Sequence, residues 1–159
     1  MQRVKLKVNG KQEMVYVEPW WSLAQVLREE LGLTGLKVGC DQGDCGSCTI
    51  LLRGKAIRSC LYLAVRAENK DVLTIEGLQS KDGRLDPLQE AFIEHFALQC
   101  GFCTPGMILA AKGLLNENPR PTEEEVRQAL GGNLCRCTGY VTIVEAVLAA
   151  ATKNREGSV

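Results

Sequence analysis

The 159-residue sequence predicts an α+β fold in two consecutive parts, a β-rich N-terminal domain and a C-terminal domain of four helices. Near the start of the chain apolar and polar residues alternate, as in strands, whereas later the apolar residues recur at helical spacing. The period changes at a polar, glycine-containing stretch. We therefore expect domains at residues 1–76 and 87–152, a linker at 77–86 and a C-terminal tail at 153–159.

The first domain begins with a predicted β-hairpin. Apolar residues alternate on both sides of an Asn9-Gly10 turn: Val4, Leu6, Val8, Val15 and Val17. A short helix follows, with Ser22 as its N-cap and Gln25 completing a capping box. Runs rich in β-branched and leucine residues predict further strands at residues 49–52 and 72–75.

The second domain contains four helix starts. Asp86-Pro87 provides an N-cap and a first helical residue, and Thr104-Pro105 starts the second helix. Thr122 with Glu125, and Thr142 with Glu145, form capping boxes for the other two. The first helix has an apolar face that we expect to extend to Phe96. The two domains share no common cysteine spacing, so they are not an internal duplication.

The overall composition is that of an ordinary globular protein, with 45% hydrophobic and 24% charged residues. Nineteen basic and nineteen acidic side chains cancel, which removes the general field that collects nucleic acid or anionic lipid. The N-terminus has no apolar core of a signal peptide, and the apolar stretch at residues 143–151 is too short to span a bilayer. We expect a cytoplasmic protein with no nucleic-acid partner and no membrane insertion.

All eight cysteines fall into two groups of four. The first group is Cys40, Cys45, Cys48 and Cys60, with the C-x4-C-x2-C spacing of plant-type [2Fe–2S] sites. Glycines between these cysteines allow tight turns that direct backbone N–H groups toward sulfur. Zinc is the alternative, but only one C-x2-C knuckle is present, and disulfides fit least because nothing indicates an oxidising compartment.

The second group has the spacing C-x2-C-x31-C-x-C and is not a ferredoxin pattern. Its members are Cys100, Cys103, Cys135 and Cys137. Both pairs lie near predicted helix starts, where the helix dipole favours the thiolate form. The C-x-C pair is uncommon in mononuclear tetrahedral sites, so the spacing favours an iron–sulfur cluster while leaving zinc open. A chain that commits every thiol to two such sites is most simply an electron carrier.

The remaining residues offer no substrate chemistry of their own. His95 is the only histidine, and we expect it to be an exposed or interface residue rather than a general acid or base. Nothing suggests a nucleophile–base pair or a carboxylate dyad, so no catalytic residue is predicted. Trp20-Trp21 could anchor a partner or pack in the core, and Arg136 could offset cluster charge or lie on the surface.

Three segments make the pattern specific: GCDQGDCGSCT at 39–49, QCGFCTPGM at 99–107 and GNLCRCTGY at 132–140. In this order they resemble the iron–sulfur subunit of the xanthine oxidase family of molybdenum hydroxylases. That family includes carbon monoxide dehydrogenase, nicotinate dehydrogenase and 4-hydroxybenzoyl-CoA reductase. The resemblance covers residues 3–151 and includes all eight cysteines, while Asp44 and Ser47 depart from the residues common in relatives without replacing a ligand.

The resemblance implies an N-terminal β-grasp ferredoxin-type [2Fe–2S] domain and a C-terminal four-helix [2Fe–2S]-binding domain with a buried second cluster. It also implies a medium FAD subunit and a large subunit carrying a molybdenum–pterin cofactor in a dinucleotide form, as a dimer of heterotrimers. By the same resemblance, Gln99 and Cys137 would contact the molybdopterin, and the loop at Gly43 and Asp44 would face the flavin.

The resulting prediction is an electron-transfer subunit of a multi-subunit oxidoreductase, with no substrate site on this chain. Electrons would pass from molybdenum to the second cysteine group, then to the first group and on to FAD. Two alternatives remain open: a free-standing two-cluster electron carrier and a zinc-structured interaction module. A free-standing ferredoxin needs only the first domain, so the helical domain argues against the first alternative.

Overall fold

The computed structural model describes residues 1–156, and the side chains up to Lys153. Residues 157–159 of the predicted tail lie outside this range. The five strands are β1 (Gln2–Val8), β2 (Lys11–Val17), β3 (Thr49–Leu52), β4 (Lys55–Arg58) and β5 (Asp71–Leu73). They form one sheet in the order β2-β1-β5-β3-β4, in which only the β1–β5 pair is parallel.

The predicted N-terminal hairpin is confirmed, with Val4 paired opposite Val15. Its alternating valines and leucine are buried on one face of the sheet. Asn9 and Gly10 both have positive φ, as the two-residue hairpin turn requires. The Asn9 amide also bonds Thr74, accepting from its N–H and donating to its hydroxyl, both at 2.9 Å. The turn is thereby fastened to the segment that follows β5.

The short helix α1 (Leu23–Gln25) continues as a π-helical turn at Val26–Glu30. The Ser22 hydroxyl accepts a hydrogen bond from the Gln25 N–H, which confirms Ser22 as the N-cap. Leu23 and Leu27 are fully buried against the sheet. Their burial holds the start of the cysteine-bearing loop against the β-rich domain.

The predicted four-helix domain is confirmed. Its helices are α2 (Pro87–Glu94), α3 (Thr104–Glu117), α4 (Glu123–Leu130) and α5 (Val141–Glu156). Asp86 and Thr122 both form reciprocal capping boxes. Among residues 1–156, no helix has the length and apolar character needed to cross a membrane.

Two expectations for this domain are wrong. Helix α2 ends at Glu94, so Phe96 adopts a φ of 52° and is 82% exposed instead of joining the apolar face. Helix α5 begins one residue earlier than its predicted cap, because the carbonyl of Tyr140 accepts the first helical hydrogen bond from Val144. Thr142 therefore lies inside the first turn, and its buried hydroxyl has no partner in the part of the chain described.

The two domains pack directly on each other. Helix α3 crosses β3 and β4, and a Cβ atom at Gly113 would lie only 3.0 Å from the Cβ of Ala56. The side chain of Asn116 on α3 donates to the carbonyl of Gly54 in the β3–β4 turn at 3.1 Å. The predicted α+β arrangement of a ferredoxin-type domain followed by a helical domain is confirmed, with a close interface between the two.

Candidate metal centres

The first cysteine set is assembled by one loop and one hairpin. Cys40, Cys45 and Cys48 lie on the loop between α1 and β3. The β3–β4 hairpin returns the chain to that loop, and Cys60 follows in a 3-10 turn at Ser59–Leu61. The carbonyl of Cys48 accepts hydrogen bonds from the Ser59 N–H at 3.3 Å and the Ser59 hydroxyl at 2.7 Å. These bonds bring the fourth cysteine to the other three.

The thiols of this set meet in two pairs. Burial raises the pKa of Cys60 to about 12, and the adjacent thiol of Cys48, with which it shares a hydrogen bond, raises it further. The backbone N–H groups of Cys45 and Gln42 donate to the sulfur of Cys40 at 3.4 and 3.5 Å. They lower the pKa of Cys40 to about 7, and the Cys45 thiol contributes in the same direction.

The second set lies between helix ends. Cys100 and Cys103 lie between α2 and α3, with Cys103 as the N-cap of α3, and the other two cysteines lie between α4 and α5. Burial raises the pKa of Cys103 to about 12, and the thiol of Cys135 beside it raises it further. A hydrogen bond with Cys100 raises the pKa of Cys137. The second set is therefore also arranged as two pairs.

Two groups of Thr138, a residue that the sequence reasoning did not single out, lie at the sulfur of Cys135. The hydroxyl of Thr138 lies 3.1 Å from it and the N–H of Thr138 lies 3.4 Å away. Burial acts to raise the pKa of Cys135, but the Thr138 hydrogen bonds, together with bonds from the Cys137 N–H and the Cys103 thiol, outweigh it and the pKa is lowered. The N–H of Cys135 donates to the hydroxyl of Tyr140 at 2.8 Å. Both partners lie within the GNLCRCTGY segment, which is the signal that could have identified them.

A cavity of about 440 Å³ lies between the two cysteine sets. It is lined by cysteines of both: Cys40, Cys45, Cys100, Cys103 and Cys135. Phe102 and Gly39 also line the cavity, and a Cβ atom at Gly39 would lie 3.5 Å from the Phe102 ring and 3.0 Å from the sulfur of Cys45. The sequence placed the two sets in separate domains, whereas the structure makes them neighbours.

The donor set fits two [2Fe–2S] clusters. All eight cysteines are free, and each set offers four sulfur donors in two pairs. A [2Fe–2S] cluster takes four thiolates, two on each iron, whereas a single zinc ion needs its ligands around one point. The paired arrangement therefore favours a two-iron centre over a mononuclear ion.

The residues predicted to face partner cofactors lie at the surface. Gln99 is exposed beside Cys100. Asp44 is exposed on the first loop, and its carboxylate accepts a hydrogen bond from the Gln42 side chain at 2.8 Å. Gly43 has a φ of 89° and packs against the side chain of Leu61.

The other candidate residues are divided between surface and core. His95 is half-buried as the C-cap of α2. Trp20 is 71% exposed, whereas Trp21 packs against the core of the β-rich domain. Arg136 is exposed and lines the cavity between the cysteine sets. The tryptophan pair therefore contributes one core residue and one surface residue.

Comparisons with known proteins match both halves of the chain to iron–sulfur families. The family described as a 2Fe-2S iron-sulfur cluster binding domain matches residues 6–74, and that described as a [2Fe-2S] binding domain matches residues 74–148. The nicotine 6-hydroxylase small subunit of Paenarthrobacter nicotinovorans is 55% identical over 92% of this chain and 88% of its own length. The nicotinate dehydrogenase small FeS subunit of Eubacterium barkeri is 47% identical over 91% of both chains.

Solved structures show the same fold. Quinoline 2-oxidoreductase from Pseudomonas putida 86 contains a chain that superposes with a TM-score of 0.92 at 52% identity, covering 99% of this chain and 98% of that one. Aldehyde oxidoreductase from Desulfovibrio desulfuricans ATCC 27774 superposes with a TM-score of 0.93 at 48% identity. The match covers 98% of this chain but 17% of that one, so the same unit also occurs as part of a longer polypeptide.

Proposed function

The chain belongs to the iron–sulfur subunits of the xanthine oxidase family of molybdenum hydroxylases, and from this premise we propose that it relays electrons between the molybdopterin of a large subunit and the FAD of a medium subunit. It is a non-catalytic, electron-transfer subunit of an oxidoreductase and contains two [2Fe–2S]-binding domains. The route of the electrons, the identity of each partner and the role of each residue are the proposal.

The paired thiols carry this proposal. We assign Cys40, Cys45, Cys48 and Cys60 to the first cluster and Cys100, Cys103, Cys135 and Cys137 to the second. When bound, each cluster supplies a one-electron carrier. The chain supplies the thiolates and the hydrogen bonds to sulfur that adjust the reduction potential, as the Cys45 and Gln42 N–H groups do at Cys40.

A direct contact between the two sets supports a relay. The carbonyl of Cys45 accepts a hydrogen bond of 2.9 Å from the N–H of Leu134, which immediately precedes Cys135. One hydrogen bond and a few covalent bonds therefore join a proposed ligand of one cluster to a proposed ligand of the other. Electron transfer requires the two cysteine sets to lie close together, whereas a zinc-structured module does not.

The exposed side of the second set suits a large partner. Cys100 and Cys137 are both exposed. Large apolar side chains of the same segments are exposed as well: Ile93, Phe96, Leu98, Phe102, Leu134 and Val141. Apolar and aromatic residues of this kind form the cores of protein interfaces. We propose that the molybdenum subunit covers this surface, buries the second cluster and places its pterin against Gln99 and Cys137.

The FAD subunit would bind near the first cysteine set. Leu61, adjacent to Cys60, is 65% exposed and packs against Gly43. Trp20 is a further exposed aromatic residue of this domain. We propose that the FAD subunit docks on the loop containing Gly43 and Asp44. A dimer of such heterotrimers in the cytoplasm completes the proposal, by analogy with the family.

Purification from the native host tests the proposed function. We expect the chain to co-purify with a large and a medium subunit that carry molybdopterin and FAD, and to show two distinct cluster signals in electron paramagnetic resonance. Phe96→Asp should release the large subunit and keep the medium one, while Leu61→Asp should do the reverse. A stable monomer with both clusters would support a free carrier instead. A colourless protein containing zinc but neither iron nor acid-labile sulfide would refute the relay.

A further inference from the structure

A buried amide bridges the domains directly behind the two cysteine sets. Asn133 belongs to the helical domain, is 2% exposed and lies two residues before Cys135. Its Nδ2 donates to the carbonyl of Gly46 at 3.0 Å and to the hydroxyl of Thr49 at 3.2 Å. Both acceptors are in the other domain and follow the proposed ligands Cys45 and Cys48. Its Oδ1 has no partner among the described residues, so Asn133 makes all its side-chain hydrogen bonds across the interface.

A guanidinium crosses the same interface in the opposite direction. Arg58 ends β4, two residues before Cys60. Its Nη2 donates to the carbonyl of Gly132 at 2.5 Å, and its Nη1 reaches the hydroxyl of Thr49 at 3.5 Å. That hydroxyl in turn donates to the carbonyl of Gly46 at 2.6 Å. We call Thr49, Arg58 and Asn133 the interdomain clasp.

The backbones of the two domains are in direct contact at the clasp, so a side chain cannot be added at the glycines between them. A Cβ atom at Gly46 would lie 2.5 Å from the carbonyl oxygen of Gly132 and 2.8 Å from the Cα of Asn133. A Cβ atom at Gly106 would lie 2.6 Å from the carbonyl oxygen of Gly46. Hydrogen bonds are directional, so this network specifies one arrangement of the two backbones where a purely apolar contact tolerates small shifts.

We propose that Thr49, Arg58 and Asn133 are positioning residues that set the separation and orientation of the two [2Fe–2S] clusters. Among the described residues, none of their hydrogen bonds goes to a thiol. They act through Gly46, which lies within the first cysteine loop, and Gly132, which lies three residues before Cys135. Electron tunnelling weakens steeply with distance, so a fixed separation sets the rate between the clusters. This inference rests on the proposed function, because the separation matters only if both sets hold clusters.

Magnetic coupling between the two reduced clusters tests the clasp independently of enzyme activity. The dipolar part of this coupling falls with the cube of the separation and splits the resonance signals of both clusters. Asn133→Leu keeps the approximate size of the side chain but removes both Nδ2 donors. In the full chain with both clusters, we expect Asn133→Leu to retain both signals with a reduced splitting and slower electron transfer between them.

Asn116→Leu is the matched control. Asn116 also donates from Nδ2 to a backbone carbonyl of the other domain, but at Gly54, in the exposed turn between β3 and β4. We expect its splitting to equal that of the wild type. An equal loss of splitting in Asn116→Leu and Asn133→Leu would overturn the proposal. It would show that any interdomain hydrogen bond, and not the clasp in particular, maintains the separation of the clusters.

A second variant keeps the test decisive if Asn133→Leu fails to fold. Arg58→Lys retains the charge, but one ammonium group cannot reproduce the two-pronged reach to Gly132 and Thr49. We expect a reduced splitting here too. Unchanged splitting in a folded Arg58→Lys or Asn133→Leu protein with both clusters would overturn the clasp. Wild-type protein without two cluster signals would instead refute the proposed function, so the two failures are distinct.

Discussion

The two cysteine sites achieve a similar donor environment by different means. At the first site, backbone N–H groups of Gln42 and Cys45 point at the sulfur of Cys40. At the second, the hydroxyl of Thr138 joins its own N–H at the sulfur of Cys135. The donors at Cys40 are backbone N–H groups, whereas a side-chain hydroxyl is added at Cys135. The first environment therefore depends on chain conformation, and the second also depends on residue identity.

Replacing one proposed ligand in each cysteine set should give the largest difference between the two sites. We expect Cys45→Ser to remove the first cluster signal and Cys100→Ser to remove the second, because each replaces a thiolate of only one set. Electron paramagnetic resonance of the reduced, folded proteins measures this. If either substitution abolished both signals in a folded protein, the assignment of two separate sites would be wrong.

A methyl group at the point where the sites meet should have the next largest effect. Gly46 has a φ of 74°, and an added Cβ would collide with Gly132 and Asn133. Gly32 has a φ of 66°, but nothing lies within 4 Å of its Cβ position. Gly32→Ala should therefore cost only backbone strain of about 1–2 kcal/mol. Gly46→Ala should lose considerably more stability and reduce the content of both clusters.

Thermal unfolding and iron content of the two alanine variants provide the measurement. Equal destabilisation of Gly46→Ala and Gly32→Ala would show that the interdomain contact at Gly46 is not restrictive. That result would also weaken the inference drawn from the clasp.

The difference in donor type predicts an unequal response to side-chain removal. Thr138→Val deletes the hydroxyl donor at Cys135, so the more negative, reduced cluster loses stabilisation and we expect the potential of the second cluster to fall. Gln42→Ala keeps the N–H that bonds Cys40, so the potential of the first cluster should hardly change. Redox titration followed by electron paramagnetic resonance measures both. If Gln42→Ala lowered the potential of the first cluster and Thr138→Val left that of the second unchanged, the proposed difference between the two sites would be wrong.

A substitution far from both sites should affect stability alone. Thr122→Ala removes the N-cap of α4 and should lower the free energy of unfolding by about 1 kcal/mol, measured by denaturant titration. Cluster signals should not change. Altered cluster signals in a folded Thr122→Ala protein would show that α4 is coupled to the second site.

The same cap has a pH dependence of known sign. The N–H and hydroxyl of Thr122 bond the carboxylate of Glu125 and hold its pKa below the ordinary value of 4.5. A depressed pKa means that the stabilisation is present above 4.5 and is lost as the pH falls through the lower, folded-state value. The stability difference between wild type and Glu125→Gln should therefore shrink in acid, and a difference that grew in acid would contradict this assignment.

Local sequence signals predicted the features that depend on neighbours along the chain. The spacing around Cys40 and Cys100 identified two four-thiol groups, and Asn9-Gly10 identified the hairpin. Phe96 was predicted on the apolar face of α2 and Thr142 as the cap of α5. Both predictions were wrong because α2 ends, and α5 begins, within about one turn of the position that the sequence indicates. Periodicity indicates a helix more reliably than it indicates the last residue of that helix.

Contacts between distant parts of the chain were not predictable in this way. Arg58 and Gly132 are 74 residues apart, and Asn133 and Gly46 are 87 apart. No spacing rule connects such pairs, because they depend on how α3 packs across β3 and β4. The sequence consequently grouped the cysteines into two sets but did not predict the short path between the sets.

The strand order also has a kinetic consequence. β5, the last strand along the chain, occupies the centre of the sheet, with Lys7 of β1 opposite Asp71. The β1–β2 and β3–β4 hairpins close through local contacts, but neither can join the other until β5 has been synthesised. Pairings of such long sequence separation are the slow ones in folding. A nascent chain that ends before residue 71 would present two unjoined hairpins, each with an edge open to the wrong partner.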